Sequence, residues 1–196
     1  MKPNKKPLII GGIIVLVLII FCWVTYNSLV TKEEKVKFQW NEVQNSYQRR
    51  LDLIPNLVNT VKGNAQFEQT TITKVTEARA RAASISIDSN DPKATDFKAQ
   101  SGAQDSLAAA ANNLVITIEK YPDLKGTAAF RGLQTQLEGT ERRIKFARND
   151  FNAAINDYNS SVRSFPKNIA AKLFGFKVKE GFQADAGTDQ SKEIKF

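Results

Sequence analysis

The feature that most constrains this chain is an uncharged run near its N-terminus, residues 8–24. Fifteen of these 17 residues are apolar, and the other two are Gly11 and Gly12. A helix of this length extends about 25 Å, which nearly matches the hydrocarbon core of a bilayer, about 30 Å. Because the run is apolar on every side, it is poorly suited to the core of a soluble protein. It predicts a transmembrane helix over residues 8–26, with Trp23 and Tyr26 at the membrane surface.

Cleavable signals also begin with basic residues and an apolar run. No A-x-A-like cleavage site follows this run, and Phe21 precedes Cys22 where a lipoprotein signal requires a small residue. The sequence therefore predicts an uncleaved signal anchor after a short segment at residues 1–7. Cys22 is then an inert residue in lipid.

Lysines flank the run on both sides, and their positions give its orientation. The six are Lys2, Lys5, Lys6, Lys32, Lys35 and Lys37. The first three lie closest to the run, so the positive-inside rule places the N-terminus in the cytoplasm and the rest of the chain outside. The near-absence of cysteine fits an extracytoplasmic domain.

The composition excludes the commonest catalytic arrangements. The chain has no histidine and one cysteine, which rules out Ser-His-Asp and Cys-His nucleophiles as well as cysteine-rich zinc sites. A catalytic acid or base would have to be Asp, Glu, Lys or Tyr, and no Gly-rich phosphate loop is present. We therefore expect no enzyme activity, no metal and no cofactor.

The net charge of +8 does not predict nucleic-acid binding. Three of these charges are the N-terminal lysines, and the remaining +5 is spread along the chain. Nucleic-acid-binding domains instead cluster Lys and Arg around aromatic residues. Basic residues can also attract a chain to anionic lipid. The expected partner is therefore the lipid bilayer, and nucleic acid is not expected.

Apolar residues recur every three or four positions beyond the run, which predicts a long amphipathic helix over residues 31–86. Pro55 lies inside this helix. A proline there leaves the carbonyl of Leu51 without its helical amide partner and kinks the helix. The stripe consists of Val36, Trp40, Val43, Tyr47, Leu51, Ile54, Val58, Val61, Ala65, Ile72 and Val75.

Two more long helices are predicted, over residues 92–121 and 124–164. The first follows a polar break at residues 88–92, where Asp91 is a good N-cap and Pro92 a good first helical residue. The second ends before Phe165-Pro166. A short helix over residues 169–174 follows, with Gly175 as its C-cap.

The predicted fold is therefore all-α. A transmembrane helix precedes an elongated antiparallel three-helix bundle, up-down-up, with a short fourth helix. The bundle covers residues 31–176, and residues 177–196 form an extended or loosely ordered tail.

Motifs in one order along almost the whole chain resemble the LemA family of membrane-anchored bacterial proteins. The most specific is QRRLDLIPNLV, residues 48–58. Two positions depart from the family pattern, because Asn64 replaces the usual Tyr and Phe67 the usual His. The other matches are Thr60-Val61-Lys62-Gly63, Glu77-Ala78-Arg79-Ala80, Tyr121-Pro122, Leu133-Gln134, Leu137-Glu138, Glu141, Ala147-Arg148, Tyr158-Asn159, Phe165-Pro166 and Gly175-Phe176.

The resemblance implies one N-terminal membrane helix, a mainly antiparallel helical bundle and no established enzyme activity. It also implies a loose association with membrane protein quality control and envelope stress. The expected location is the bacterial inner (cytoplasmic) membrane, in a single pass, with the bundle in the periplasm.

The predicted helix lengths leave part of the apolar stripe uncovered. Helix 31–86 would be about 84 Å long and helix 92–121 about 45 Å, so about 39 Å of the first lacks an antiparallel partner. An exposed apolar patch of this size usually marks an interface, which predicts stalk-to-stalk packing and a homo-oligomer. A helix folded back at Pro55 is the alternative. The candidate interaction surface is Trp40, Val43, Tyr47, Arg49, Arg50, Leu51, Asp52, Ile54 and Pro55.

Other candidate sites have simpler interpretations. Arg49 and Arg50 either dock a partner or are solvated charges on a helix surface. Glu138 and Glu141 have the spacing of paired carboxylates, but basic residues four positions later favour a solvated ion-pair ladder with Arg142 and Lys145. Arg142, Arg143 and Lys145 either bind an anion or form a solvated face, and the solvated face is favoured. The aromatic residues lie at core spacing, which favours packing over a ligand pocket: Trp40, Tyr47, Phe130, Phe151, Tyr158 and Phe165.

Three functions follow from these observations. The first is a membrane-anchored scaffold or adaptor, without catalysis, that self-associates or docks other membrane proteins. The alternative is a regulatory accessory of a membrane protease or of an envelope stress or quality-control system. The third is an enzyme that uses only carboxylates and lysines.

Overall fold

The computed structural model describes residues 6–63, 68–85, 87 and 94–182. This part of the chain contains no strand, so the predicted all-α class is confirmed. Asn64, Phe67, Asp91, Pro92 and residues 183–196 of the predicted tail lie outside the described residues, as do residues 1–5. The helices are α1 Lys6–Lys62, α2 Gln69–Ser84, α3 Ala94–Ile118, α4 Pro122–Lys125, α5 Ala128–Arg163 and α6 Lys167–Leu173.

The chain divides into two compact units. Unit 1 comprises Met1–Gln39 and Ala153–Lys179, and unit 2 comprises Trp40–Asn152 and Glu180–Phe196. Helices α1 and α5 each contribute residues to both units.

Unit 1 contains the apolar run. Among the described residues, α1 is the one helix that is long and apolar enough to cross a membrane, with a mean hydropathy of 2.7 in its most apolar window. The large apolar side chains from Ile9 to Ile20 are 49–61% exposed. Beyond this segment the helix becomes one-sided, because Leu29 and Val36 are buried.

Polar contacts fasten α1 and the tail within unit 1. Lys179 forms an ion pair with Glu33 at 2.8 Å, and Lys32 pairs with Asp157 of α5. The Asn159 side chain holds the backbone of Lys179 by two hydrogen bonds, both 2.8 Å, donating through Nδ2 and accepting through Oδ1. The described start of the tail, predicted as extended or loosely ordered, is thus anchored to α5.

Helix α6 ends at Leu173 with Phe174 as its C-cap, so Gly175, predicted as the C-cap, lies one residue further on. Gly175 has φ +79°, a conformation that glycine adopts without a Cβ clash. Its N–H donates to the Lys172 carbonyl at 3.3 Å, and the Phe176 N–H donates to the Ala171 carbonyl at 2.9 Å. These two bonds define a Schellman motif, which satisfies the last helical carbonyls.

The prediction of one helix over residues 31–86 is wrong, because two separate helices occupy this stretch. Helix α1 passes through Pro55 and ends at Lys62, directly before Gly63, a weak helix former. The separate helix α2 then runs back along α1, because Arg79 reaches the carbonyl of Leu51. Folding back lets both helices bury their apolar sides in one core, which a straight helix could not do.

Unit 2 is consequently a bundle of four long helical segments where three were predicted. Trp40 contacts Phe97 and Arg50 contacts Gln104, so α3 runs in the direction of α1. Arg49 contacts Gln136 and Trp40 contacts Phe151, so α5 runs in the opposite direction. The four segments α1, α2, α3 and α5 therefore alternate in direction.

The predicted helix over residues 124–164 is also divided. The short helix α4 ends at Lys125, and α5 begins at Ala128. Thr127 Oγ1 accepts a hydrogen bond from the Phe130 N–H at 3.2 Å, as an N-cap residue does. The cap accounts for the start of α5 at Ala128, although the apolar period continues across the break.

The prediction of an uncovered apolar stripe is wrong, because α1 ends earlier than predicted and other helices of unit 2 cover it. From Trp40 to its end α1 extends about 33 Å, while α3, with 25 residues, extends about 37 Å. Trp40, Val43, Tyr47 and Ile54 are all at most 2% exposed. The described residues of the stripe lie in the core of their own chain and are not available for stalk-to-stalk packing. Ala65 lies outside the described residues.

Candidate interaction site around Arg50

The nine predicted interaction residues separate into a buried group and a surface group. Arg49 and Asp52 are exposed, and Pro55 is half-buried. The remaining six, at most 8% exposed, cannot present a free surface: Trp40, Val43, Tyr47, Arg50, Leu51 and Ile54.

Arg50 is the centre of the buried group. Its guanidinium is 2% exposed and donates through Nη1 to the Gln104 carbonyl at 2.7 Å and to Gln104 Oε1 at 3.2 Å. Nη2 pairs with Glu141 of α5. Burial lowers the pKa of Arg50, and the Glu141 carboxylate opposes that shift. One arginine thus connects three helices, α1, α3 and α5.

A second arginine extends this polar layer. Arg148 Nε donates to the Tyr47 hydroxyl at 2.7 Å, and Arg148 Nη2 donates to Asp105 at 3.0 Å. Burial raises the pKa of Tyr47, and the Arg148 charge opposes the shift. Burial alone would lower the pKa of Arg148, but Tyr47 and Asp105 together raise it. Tyr47 therefore stays protonated and Arg148 stays charged near neutral pH.

An aromatic cluster lies next to this layer in unit 2. The Trp40 ring is 5.0 Å from Phe97, 5.3 Å from Phe151 and 6.1 Å from Phe182, between centroids. The Asn152 side chain holds the Phe182 backbone by two hydrogen bonds of 3.0 Å, one donated and one accepted. The tail thus adds a ring to the core, and the predicted packing role of Trp40 and Phe151 is confirmed.

Pro55 produces the free carbonyl that the sequence predicts. The Leu51 carbonyl cannot bond to residue 55, because proline has no N–H. Arg79 Nε of α2 donates to this oxygen at 2.9 Å. The proline thus creates an acceptor inside the bundle, and the returning helix α2 satisfies it.

Of the surface group, Arg49 borders a groove between α1 and α5. The groove has a volume of about 470 Å³. Arg49 Nη2 donates to Gln136 Oε1 across it at 2.9 Å. The groove is lined by two arginines and one glutamate, so its net charge is positive. Its lining residues are Glu42, Asn45, Ser46, Arg49, Gln136, Gly139, Thr140 and Arg143.

A second cavity, of about 350 Å³, lies on the other side of α1, between Tyr47, Leu51 and Gln104. Gln100 also lines it, and its Oε1 is buried without a hydrogen-bond partner among the described residues. The cavity is lined by amide, hydroxyl and apolar groups, which can bind but not perform acid–base chemistry near neutral pH.

The two glutamates that were candidates for paired carboxylates each have a partner. Glu141 pairs with Arg50 across the bundle and not with Lys145 within α5, so that part of the predicted ladder is wrong. Glu138 accepts a hydrogen bond from Gln134 at 3.1 Å. The described part of the chain contains no group of three or more His, Cys, Asp or Glu residues arranged to hold a metal ion.

The sequence contained a signal for the burial of Arg50 that the charge-based interpretation missed. Val43, Tyr47, Arg50 and Ile54 follow each other at steps of four, three and four, which places Arg50 on the apolar side of the helix. A charged residue at such a position requires a partner within the core. The partners, Glu141 and Gln104, could not be chosen without the fold.

These observations define a class: a membrane-associated helical-bundle protein with one long apolar helix and a polar layer at the centre of its bundle. The LemA family model matches residues 39–196, and the chain belongs to the LemA family.

Curated relatives agree with this membership. Protein LemA of Metamycoplasma hominis is 26% identical over 198 residues, which cover 93% of this chain and 87% of the relative. The magnetosome protein MamQ 2 of Paramagnetospirillum magneticum is 25% identical over 204 residues, covering 95% and 75%. MamQ of Magnetospirillum gryphiswaldense is 24% identical over 183 residues, covering 84% and 66%.

Proposed function

We propose that this LemA-family chain is a membrane-anchored helical scaffold or adaptor that docks other membrane proteins or further copies of itself, and that it carries out no catalysis. One observation carries the proposal. A single helix, α1, bears an apolar run that is exposed on all sides and, further along, residues of a closed core. Such a chain holds a folded bundle at a membrane surface.

The docking surface that we favour is the groove beside Arg49. The apolar stripe is buried, so a partner must contact exposed residues of the bundle. Arg49 and Arg143 line an open groove of about 470 Å³, and guanidinium groups bind carboxylates in a bidentate manner. A partner segment bearing Asp or Glu fits this groove. Self-association through the groove would use the same contacts.

The names of the relatives support a non-catalytic role. Two are named as magnetosome proteins and one as LemA, and none of these names specifies a reaction. The location that we propose is the bacterial inner membrane, with the N-terminus in the cytoplasm and the bundle in the periplasm. The three lysines before the run support this orientation.

Site-specific photo-crosslinking in intact membranes tests the docking surface. A photoreactive residue replaces Ser46, which lines the groove beside Arg49, in one variant and Arg81, an exposed arginine of the same unit, in a control. We expect an adduct from position 46 and none from position 81. Arg143→Glu in the position-46 variant should abolish the adduct, because it reverses one of the two positive charges of the groove.

The identity of the adduct separates the forms of the proposal. Another membrane protein supports an adaptor, and a second copy of the chain supports a scaffold. A membrane protease that recurs as the partner favours the alternative function, a regulatory accessory. Equal adducts from positions 46 and 81, or adducts that survive Arg143→Glu, contradict docking in this groove.

A further inference from the structure

Unit 1 has a second exposed apolar surface, separate from the membrane run. Phe165 is 81% exposed, Ile169 62% and Leu173 73%. Ile169 and Leu173, four residues apart, lie on one side of α6, and Phe165 lies in the turn before this helix. Ala170 and Ala171, on the other side of α6, are 2% and 0% exposed. We call Phe165, Ile169 and Leu173 the α6 surface.

The end of α6 is attached to the end of the membrane run. The Tyr26 ring lies 5.1 Å from the Phe174 ring and 5.7 Å from the Phe176 ring, between centroids, both nearly edge to face. The Schellman motif at Gly175 fixes the turn that presents these two rings. Tyr26 is the residue at which the predicted transmembrane segment ends, and tyrosine is typical of the membrane–water interface.

The sequence around the α6 surface is basic, although two carboxylates lie near its lysines: Glu33 pairs with Lys179, and Asp157 interacts with the charge of Lys167. Residues 158–179 contain five basic residues and no Asp or Glu. Lys172 and Lys177 are exposed beside the apolar residues, and lysine stems can lie along apolar surface while the ammonium groups reach water or lipid headgroups. A short helix with an outward apolar side and basic flanks has the composition of an interfacial membrane segment.

We propose that the α6 surface lies in the interface of an anionic bilayer and forms a second membrane contact of this chain. The proposal rests on the proposed membrane anchor, because that anchor brings α6 to the bilayer. Phe165, Ile169 and Leu173 enter the headgroup region, and Lys172 and Lys177 bind lipid phosphates. A lipid surface is the occupant we choose over a protein because the patch is continuous, through Tyr26, with the membrane run.

Depth-dependent quenching of a fluorescent label tests this contact in the full chain. The label is attached through single cysteines introduced as Leu173→Cys or Phe38→Cys in a Cys22→Ser background. Phe38 is the matched control, because it is 60% exposed in the same unit and lies about 18 Å further along α1 than Tyr26. A third sample carries the label on the native Cys22 and reports the anchor itself. All are labelled in detergent and reconstituted into vesicles of phosphatidylcholine and phosphatidylglycerol.

We expect the label at position 173 to emit at shorter wavelength than the label at position 38. A quencher near the headgroups should quench the label at position 173 at least threefold more strongly than the label at position 38. A quencher deep in the acyl chains should quench the label at position 173 less than the headgroup quencher does. The Cys22 label should respond most to the deep quencher. Far-UV circular dichroism of each labelled chain verifies that the helices are intact.

Three results overturn the proposal, and they differ from each other. Equal quenching at positions 173 and 38, with deep quenching at Cys22, refutes the α6 contact and leaves the anchor standing. A Cys22 label without quenching refutes the anchor, and the α6 proposal with it. A blue shift at position 173 that grows with the protein-to-lipid ratio and is insensitive to lipid quenchers identifies a second copy as the occupant.

The lysines provide a test of the lipid charge. Each basic residue near an anionic surface favours binding about fivefold. Lys172→Gln with Lys177→Gln should therefore reduce shallow quenching at position 173 to the level seen in vesicles of phosphatidylcholine alone. Lys74→Gln, an exposed lysine of unit 2, is the control and should have no effect. Quenching that is equal in neutral and anionic vesicles refutes the anionic specificity.

Discussion

Helix α1 carries two apolar regions that differ in what surrounds them. From Ile9 to Ile20 the large apolar side chains are 49–61% exposed in the chain itself. From Trp40 to Val61 the apolar residues recur every three or four positions and are at most 8% exposed. The first region has no polar side and requires an apolar solvent, whereas the second has one apolar side and is covered by other helices of unit 2. The two regions are both rich in apolar residues. Whether these residues lie on every side of the helix or on one side determines whether the region needs lipid or other helices around it.

The first prediction converts the membrane region into a polar one. Ile14→Lys with Leu18→Lys should abolish membrane attachment, because each lysine at the centre of a membrane helix costs about 3 kcal/mol. Alkaline extraction and vesicle flotation measure the effect. Phe38→Lys, in the same unit but beyond the run, should leave the chain in the membrane. A double variant that resists alkaline extraction would show that the run is not the anchor.

The second prediction compares two aromatic residues two positions apart on α1. Trp40→Ala should destabilise the fold by about 3–5 kcal/mol, because it leaves a cavity between Phe97 and Phe151. Phe38→Ala should change stability by less than about 0.5 kcal/mol, because Phe38 is 60% exposed. Denaturant unfolding of the full chain in detergent, followed by circular dichroism, gives both values. Equal losses of stability in the two variants would contradict the assignment of Trp40 to the buried side and Phe38 to the exposed side of α1.

The third prediction concerns the buried charge in unit 2. Glu141→Ala should cost about 3 kcal/mol, because it leaves the Arg50 guanidinium buried without its counter-charge. Arg50→Met should cost less, about 1–2 kcal/mol, because the Glu141 side chain is 40% exposed and can be hydrated. Glu138→Ala, one turn away and exposed, serves as the control. If Arg50→Met costs more stability than Glu141→Ala, then Arg50 stabilises the fold mainly through contacts other than its ion pair with Glu141.

The sequence predicted which side of α1 is apolar, but not that other helices of the same chain cover it. The step pattern from Trp40 to Val61 identified the apolar side, whose first part was predicted to be uncovered and is buried. It did not reveal the end of α1 at Lys62, because Ile72 and Val75 continue the same pattern in α2, whose apolar side faces the same core. Arg50 fits the pattern too, but its charge favoured a surface interpretation. Its partner Glu141 lies 91 residues away, and only the fold brings the two together.

Pro55 illustrates the same division between local and long-range information. That the Leu51 carbonyl loses its helical partner follows from the chemistry of proline alone. That Arg79 supplies the replacement depends on α2 folding back, and so on contacts 28 residues apart. The exposed α6 surface was not predicted for a related reason. Phe165 has core spacing on α5, and its 81% exposure results from the end of the helix at Arg163.

The fourth prediction tests the link between Pro55 and Arg79. Arg79→Met should cost about 1.5 kcal/mol, because the Leu51 carbonyl loses a charged hydrogen-bond donor. In a Pro55→Ala background the alanine N–H can bond to that carbonyl, so the cost of Arg79→Met should fall by about 1 kcal/mol. A double-mutant cycle of unfolding free energies measures the coupling. Coupling near zero would mean that Arg79 stabilises the bundle independently of the proline.

The fifth prediction asks whether unit 1, despite its exposed apolar residues, has a closed interior of its own. Tyr158 is 1% exposed, and the ammonium group of Lys179 lies 5.6 Å from the centre of its ring. Burial, with the nearby charge of Glu33, raises the pKa of Tyr158 to about 12. An unfolded tyrosine ionises near pH 10, so the contribution of Tyr158 to stability is complete below about pH 10 and is lost as the pH rises towards 12. Tyr158→Phe should thus leave stability unchanged at pH 7 and weaken its decline between pH 10 and 12, measured by denaturant unfolding with phenolate absorbance at 295 nm. If the stability of the two chains declines equally with pH, the hydroxyl of Tyr158 is accessible to water. Unit 1 would then have no closed interior at Tyr158.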